Sequence, residues 1–534
     1  MAEQWSDARS AAGKVNKWVI VAIISIPTFM EVLDAAIANV ALSHIAGGLS
    51  ISNDEATWVV TSYLVANAAI IPISGWLSDT IGRKRYFLIS IALFAISSLL
   101  CGMAPNLTFL ILARVFQGVG GGGLAPVEQS MIADTFPPQQ RGMAFAAFAF
   151  VVVCGPVFGP TLGGVITDNI NWHWIFLINV PIGAISFILA QLFVCEPKIM
   201  AKERAKRLKG GLRVDLLGFL FVALALGCLE VTLDRGQRED WFSSGLITTT
   251  AIFSALGFIG LIIRELSIDD PIVDLRVLAN RNFAICCLVM MTGGLIIFGS
   301  TQLIPQMLQE VLGYTATDAG LALTAGGVAT VLVMPFAGML TGKVDVRALL
   351  GFALLSQGLA LLNMTHLDST ISFSDAALAR LYQAFALPFL FVPVSAAAYV
   401  GLAQSQSNQA SALINVARNL GGTFGISTAQ TMLERRQQFH QTRLVEGLNG
   451  LNPNYNEWIN NAGASINGAT QAGGASSDTM AGPLGALYQQ VQQQATMLSF
   501  VDVFHVLMIF VFVVTPLVLL LRPPKPGAAP GPGH

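Results

Sequence analysis

Four ionisable side chains stand inside long apolar runs: Glu31 and Asp34 in the run from Trp18, and Arg114 and Glu128 in the run from Leu107. An unpaired charge at the centre of a bilayer costs about 2.5–3.5 kcal/mol on insertion scales, so each needs a reason to be there. Glu31 and Asp34 are spaced i,i+3 and share one helix face. At about 1.5 Å of rise per residue, Asp34 lies about 12 Å and Glu31 about 16 Å from the end of their run, and Arg114 about 10 Å from the start of its own. Asp34 and Arg114 therefore sit at one level, where an ion pair offsets the desolvation of both. Such a pair either fixes helix packing alone or opens when Asp34 takes a proton, the exchangeable site that a proton-coupled carrier needs. Glu31, one turn deeper, is placed to meet a cationic solute or to share that proton. Glu128 follows Pro126 and either lines a cavity or lies near the interface as a solvated group.

The other polar residues in apolar runs ask for less chemistry. Arg380 reads as shallow, with its head snorkelling to the surface. Arg418 lies deeper, in Asn415-Val-Ala-Arg-Asn-Leu-Gly-Gly, and needs a partner that the sequence does not name. Asp502 and His505 form an i,i+3 pair in the last run, either a satisfied surface pair or a proton relay. Glu230 and Asp234 close one run and read as part of a connection. Phe148, Met290, Phe298, Tyr382, Phe385 and Phe389 supply an adaptable apolar lining for varied solutes, or simply face lipid. No nucleophile–base set appears, so an enzyme is not expected. The six cysteines all fall within the apolar runs, without disulfide or zinc spacing, and no metal site follows. No basic tract suits nucleic acid.

Only 11% of the 534 residues are charged and 54% are hydrophobic, against about 25% charged in a soluble protein. This is the composition of an all-α polytopic membrane protein. Apolar stretches of spanning length fall near 18–42, 56–77, 86–103, 107–133, 142–166, 174–195, 214–233, 244–265, 284–309, 319–341, 348–365, 376–400, 410–433 and 498–522, which makes fourteen transmembrane helices. The expected layout is an N-tail (1–17), a six-helix half (18–195), a basic linker (196–213), two inserted helices (214–265), a second linker (266–283), a second six-helix half (284–522) and a disordered tail (523–534). The second half holds a long loop, 434–497, whose segments 434–448 and 483–496 read as helical around a flexible middle.

Charge gives the orientation. Of the 29 Lys and Arg, 21 fall in alternate segments that include both tails, and only Arg235, Arg238, Arg435, Arg436 and Arg443 fall in the others. Both termini are therefore expected in the cytoplasm, and the first apolar run is too long for a cleavable signal. The halves repeat: Ala113-Arg-Val-Phe-Gln-Gly118 returns as Ala379-Arg-Leu-Tyr-Gln-Ala384, and Gly75-Trp-Leu-Ser returns as Gly338-Met-Leu-Thr. Repeated halves with a path at their interface are a transporter architecture.

Five motifs then carry a family resemblance. Gly75-Trp-Leu-Ser-Asp-Thr-Ile-Gly-Arg-Lys-Arg85 follows the second run. Leu33-Asp-Ala-Ala-Ile-Ala-Asn-Val-Ala-Leu42 lies in the first, with Ala36 where the family has Thr. Arg114-Val-Phe-Gln-Gly, Gly155-Pro-Val-Phe-Gly-Pro-Thr-Leu-Gly-Gly164 and Trp172-His-Trp-Ile-Phe-Leu-Ile-Asn-Val-Pro-Ile-Gly183 complete the set. Over nearly its whole length the chain resembles the fourteen-helix drug:proton antiporters of the major facilitator superfamily, EmrB/QacA type, with the EmrB branch favoured by Gln494–His505.

The resemblance implies two six-helix halves plus two inserted helices, and proton-coupled efflux of amphipathic drugs across the bacterial inner membrane. It needs no cofactor beyond the proton gradient. It also implies partners, a periplasmic membrane-fusion adaptor and an outer-membrane channel, with loop 434–497 as the docking element. Proton coupling would fall to Asp34, Arg114 and Glu31, and substrate contact to Glu31, Glu128 and the aromatic and Met set above. Gating and close helix packing would fall to Gly75, Asp79, Gly82, Arg83, Asp134 and Gln117, and to Gly155, Pro156, Gly159, Pro160, Gly163 and Gly164. Asp134 is placed to pair with Arg83 or Lys84, and Asp79 to meet the positive N-terminus of a neighbouring helix. The rival readings are a metabolite or nutrient transporter of the same fold and a non-transporting membrane scaffold or receptor.

Overall fold

The computed structural model describes residues 16–194, 215–268, 271–368, 371–403, 406–446 and 481–521, with single residues at 448, 455 and 457. The linker 196–213, the tail 523–534, most of the N-tail and the middle of the long loop lie outside these, as do the side chains of Pro156 and Pro160. Among the described residues the regular structure is helical throughout, in fourteen long segments. They are α1 Lys17–Val40, α2 Trp58–Ile81, α3 Arg83–Cys101, α4 Leu107–Thr135, α5 Pro138–Asn169, α6 Trp174–Phe193 and α7 Leu216–Arg235, then α8 Gly245–Ser267, α9 Arg281–Glu310, α10 Ala316–Thr341, α11 Val346–Met364, α12 Phe373–Ala397, α13 Ser407–Glu446 and α14 Ala481–Val514. Twelve of them, all but α5 and α13, are long and apolar enough to cross a membrane.

Polar residues mark the starts. Asn16 accepts from the Trp18 amide at 3.1 Å to open α1, and Asn106 from the Phe109 amide at 2.9 Å to open α4. Reciprocal capping boxes, Thr315 with Asp318 and Ser372 with Asp375, open α10 and α12. Between α2 and α3 the chain reverses at Gly82, whose φ of 101° suits glycine.

The repeat seen in the sequence is a repeat in packing. In the first half α1 packs on α5, α2 and α3 on α4, and α3 on α6. In the second half the same pairs return eight helices later: α9 on α13, α10 and α11 on α12, and α11 on α14. The halves meet along two seams, α5 against α10 and α2 against α13. The inserted helix α7 lies over the second seam and touches both α2 and α13. It carries a π-helical stretch, Ala223–Gly227, where Ala225 O accepts from Ser254 of α8 at 2.8 Å.

Missing side chains set how close the helices come. The crossing of α9 and α13 is the tightest: a Cβ on Gly421 would stand 1.9 Å from the Met291 carbonyl oxygen. In α5, Cβ atoms on Gly155 and Gly159 would meet Val32 and Ala36 of α1 at 2.5 Å, and Gly163 faces Ile37. Gly164 does not belong to that face, since nothing lies within 4 Å of its Cβ position. The assignment of α5 is unbroken through residues 156 and 160.

Segments 434–446 and 481–497 are continuations of α13 and α14 and not separate loop helices. At about 1.5 Å per residue, α13 is about 60 Å long and overshoots a bilayer core of about 30 Å. The overhang packs on the start of α14, where Gln437 donates to Thr496 at 2.8 Å. Asp502 belongs to this junction. It accepts from Arg436 at 2.5 Å and pairs with His440 at 2.7 Å, both on α13, whereas exposed His505 bonds only the Val501 carbonyl. The expected Asp502–His505 pair is thus replaced by an inter-helix triad, because α13 extends farther than its apolar part.

Gly421→Ala should lower the stability of the detergent-solubilised protein by about 1–3 kcal/mol, the usual scale of overpacking. Gly164→Ala should leave the unfolding midpoint unchanged or slightly raised. Equal effects from the two substitutions would contradict this packing.

Candidate functional site

Asp34 is 2% exposed and the centre of a polar knot at the junction of α1, α3, α4 and α6. It accepts from Arg114 Nη1 at 2.6 Å, Gln117 Nε2 at 2.9 Å and Asn179 Nδ2 at 2.7 Å. Arg114 is fully buried, and its Nε donates to the Val59 carbonyl of α2 at 3.0 Å. Its guanidinium also lies 4.3 Å from the Tyr63 ring centre and 5.5 Å from that of Phe176. Ser98 accepts from both Gln117 and Asn179 and donates to the Phe176 carbonyl. A carboxylate with three donors, one of them cationic, has its acceptor sites filled by fixed groups of the protein.

Glu31 faces a different set. It accepts from Asn67 Nδ2 at 3.0 Å and lies 3.5 Å from the Tyr63 hydroxyl, while its Oε2 has no partner among the described residues. Arg418 of α13 acts on it electrostatically, across the boundary between the two halves. The two form no direct ion pair, and Arg418 Nε has no hydrogen-bond partner among the described residues. Tyr63 joins the two carboxylate sites, with its ring under Arg114 and its hydroxyl towards Glu31.

Glu128 departs from both expected positions. It neither lines a cavity nor reaches solvent, being fully buried against α1, where Ser25 and Thr28 donate to its two oxygens. Ser25, Thr28, Glu31 and Asp34 follow at three-residue spacing, a polar stripe winding slowly around α1. A cavity of about 670 Å³ lies between α1, α5 and α10 and is almost wholly apolar. Trp18, Phe29, Met143, Phe150 and Phe158 line it, and so does Ser25, whose hydroxyl donates to Glu128.

None of the aromatic and Met candidates lines that cavity. Phe148, Met290 and Phe389 are buried in the helix packing, whereas Phe298, Tyr382 and Phe385 are exposed on the helix surfaces. Apolar residues carry no directional signal, so their sequence could not distinguish a lining from a lipid face. Arg380 is also displaced from its expectation: it does not snorkel but is 7% exposed, donating to Gln383 at 2.7 Å. Among the described residues no group of three or more His, Cys, Asp or Glu could hold a metal.

A second cluster lies at the end of the bundle that bears Gly82. Asp134 of α4 forms an ion pair with Arg83 of α3, both nearly buried, and Arg83 Nη2 donates to Ser407 of α13 at 2.8 Å. Asp79 of α2 accepts from Asn408 in the first turn of α13, so it does lie at a neighbouring helix N-terminus. Gly75 lets this contact form, since a Cβ there would be 3.1 Å from the Asn408 carbonyl oxygen. Lys84 instead reaches the Gln191 carbonyl at 2.7 Å. On the other seam, Gly142 of α5 abuts Gly338 and Thr341 of α10. Ser407, Asn408, Ser98 and Asn179 were missed in the sequence reading. Asn179 alone left a trace, as an amide inside an apolar run.

Asp134→Asn leaves Arg83 as an uncompensated buried charge, a loss of about 3–5 kcal/mol. Spin labels at Gln139 and Lys343, on opposite sides of the seam between α5 and α10, should then report longer distances than in the parent. An unchanged distance distribution would show that this pair does not hold the Gly82 end shut.

Comparison with known proteins agrees with this architecture. The profile of the Major Facilitator Superfamily matches residues 24–426. The multidrug export protein EmrB of Haemophilus influenzae is 40% identical over 431 residues, 80% of this chain and 83% of that protein. The fatty acid resistance protein FarB of Neisseria gonorrhoeae is 34% identical over 514 residues, covering 96% and 97%. The solved structure of the proton:xylose symporter XylE superposes with a TM-score of 0.56 over 95% of this chain and 99% of that one, at 14% identity, a likeness of fold alone. The chain belongs to the Major Facilitator Superfamily of membrane transporters, and within it to the EmrB type.

Proposed function

We propose that this protein is a proton-driven exporter of amphipathic drugs and related small molecules, working by alternating access in the bacterial inner membrane. In this reading the chain crosses the bilayer fourteen times with both termini in the cytoplasm, as the bias of basic residues suggests. The relatives named as a multidrug export protein and a fatty acid resistance protein support an amphipathic cargo. The observation that carries proton coupling is the sealed contact of Asp34 with Arg114 at 2.6 Å.

Arg114 ties three helices together through Asp34 of α1, Val59 of α2 and its own place on α4. Protonation of Asp34 removes the charge that holds the guanidinium, and the three helices can then repack. Glu31 keeps one carboxylate oxygen without a hydrogen-bond partner among the described residues, which a cationic cargo group can take up. With the Gly82 end in the cytoplasm, the clusters around Arg83 and Asp79 close the inner side. Each proton entering down 100 mV supplies about 2.3 kcal/mol to drive the cycle.

The overhanging parts of α13 and α14 form a handle on the outer side, and we assign them the docking of a periplasmic adaptor leading to an outer-membrane channel. The long helical overhang supports this, since the other described connections on that side are short.

Asp34→Asn should abolish drug efflux driven by a pH gradient in proteoliposomes while leaving the protein folded and drug-binding. Full resistance in cells carrying this variant would sink the assignment. Replacing residues 441–492, the tips of both overhangs and the stretch between them, by a short Gly/Ser linker should spare drug–proton exchange in vesicles but remove resistance in whole cells, where cargo must pass both membranes. Unchanged whole-cell resistance would mean that the overhang is not a docking element.

A further inference from the structure

Arg380 and Gln383 of α12 repeat, one half later, the Arg114 and Gln117 of α4. The geometry repeats as well. Arg380 Nη1 donates to Gln383 Oε1 at 2.7 Å, as Arg114 Nη1 does to Gln117 Oε1 at 2.8 Å. The counter-charge does not repeat. Arg114 finds the Asp34 carboxylate on α1, whereas the matching helix α9 offers Arg380 only hydroxyls, Ser300 at 3.4 Å and Thr301 at 3.1 Å.

Arg380 is thus a buried cation served by neutral acceptors. No charged group among the described residues acts on it. Its Nε and the Nε2 of fully buried Gln383 have no hydrogen-bond acceptor among the described residues. Gly326 of α10 makes room for the guanidinium, since a Cβ there would stand 3.1 Å from Nε and 2.8 Å from Cγ. Thr301, which holds Nη2, is only half-buried, so the head group lies next to an accessible edge between α9 and α12. Burying an unpaired charge costs far more than two neutral hydrogen bonds return. A guanidinium and an amide with spare N–H groups together suit a small anion, and a carboxylate best of all.

We propose that Arg380 and Gln383 form a binding site for a monovalent anion, in which an external carboxylate or chloride takes the place that Asp34 fills against Arg114. A carboxylate there would be the head group of an anionic amphipathic solute, and chloride would be a bound ion. The proposal concerns binding alone, so it stands or falls separately from the direction and energy source of transport.

The test uses the full-length protein in a neutral detergent and a chloride-free gluconate buffer. Sodium octanoate and sodium chloride are titrated separately, with octanol as the uncharged control, and thermal unfolding and binding of radiolabelled octanoate are followed. At least one of the two anions should raise the unfolding midpoint saturably while octanol does not, and Arg380→Gln should weaken that binding at least tenfold. A response to octanoate alone assigns a carboxylate head group, and a response to chloride alone assigns the halide. Ser300→Asp places a carboxylate beside Arg380 and does not depend on losing the arginine. It should raise the midpoint in the absence of either anion and abolish the anion response. No saturable response to either anion, an equal response to octanol, or full anion binding in Ser300→Asp would overturn the proposal.

Discussion

A guanidinium and a carboxylate buried together in a membrane-spanning bundle must satisfy nearly all of their hydrogen-bonding capacity within the protein, because lipid offers none. The contact between Asp34 and Arg114 meets that demand by recruiting three further helices. Gln117 comes from the same helix as Arg114, Asn179 from α6, the Val59 carbonyl from α2, and Ser98 on α3 orients both amides. The relative placement of the first half's helices is therefore tied to one ion pair. Any change that weakens the pair acts on all of them together.

Close backbone approach makes these contacts possible. A Cβ on Gly118 would stand 2.5 Å from the Tyr63 carbonyl oxygen, and one on Gly120 would stand 2.7 Å from the Phe94 amide. With these side chains absent, α4 can press against α2 on one side and α3 on the other. Arg114 then reaches Val59, and Gln117 reaches Ser98. The glycines of α5 do the same against α1. Packing by small residues and polar contact by buried amides are two aspects of one arrangement.

The two halves share this framework but not its charges. The first half pairs its arginine internally, whereas the second leaves Arg380 among hydroxyls. The boundary between halves has its own polar contacts: Arg83 with Ser407, Asp79 with Asn408 and Gln129 with Asn415. Most are neutral hydrogen bonds or contacts at helix ends, which can be exchanged for water at modest cost when a seam opens. The first half's knot is held by a buried ion pair, whereas its boundary with the second half is held mainly by single hydrogen bonds.

Composition and the spacing of apolar runs were enough to read an all-helical membrane protein, its repeated halves and the meeting of Asp34 with Arg114, because depth along a helix follows from counting residues. Motif residues such as Asp79, Arg83 and Asp134 also ended where their charges and helix positions placed them. Rotation about the helix axis and the identity of the facing helix were not legible. They decided that Glu128 is sealed against Ser25 and Thr28, and that Arg380 is buried without a charged partner among the described residues. They also decided that Asp502 turns to Arg436 and His440, because α13 continues as helix well past its apolar segment. A sequence sets how deep a side chain lies and how strongly it needs a partner. Which partner it meets depends on how closely two distant backbones can approach, and that is a property of the folded bundle alone.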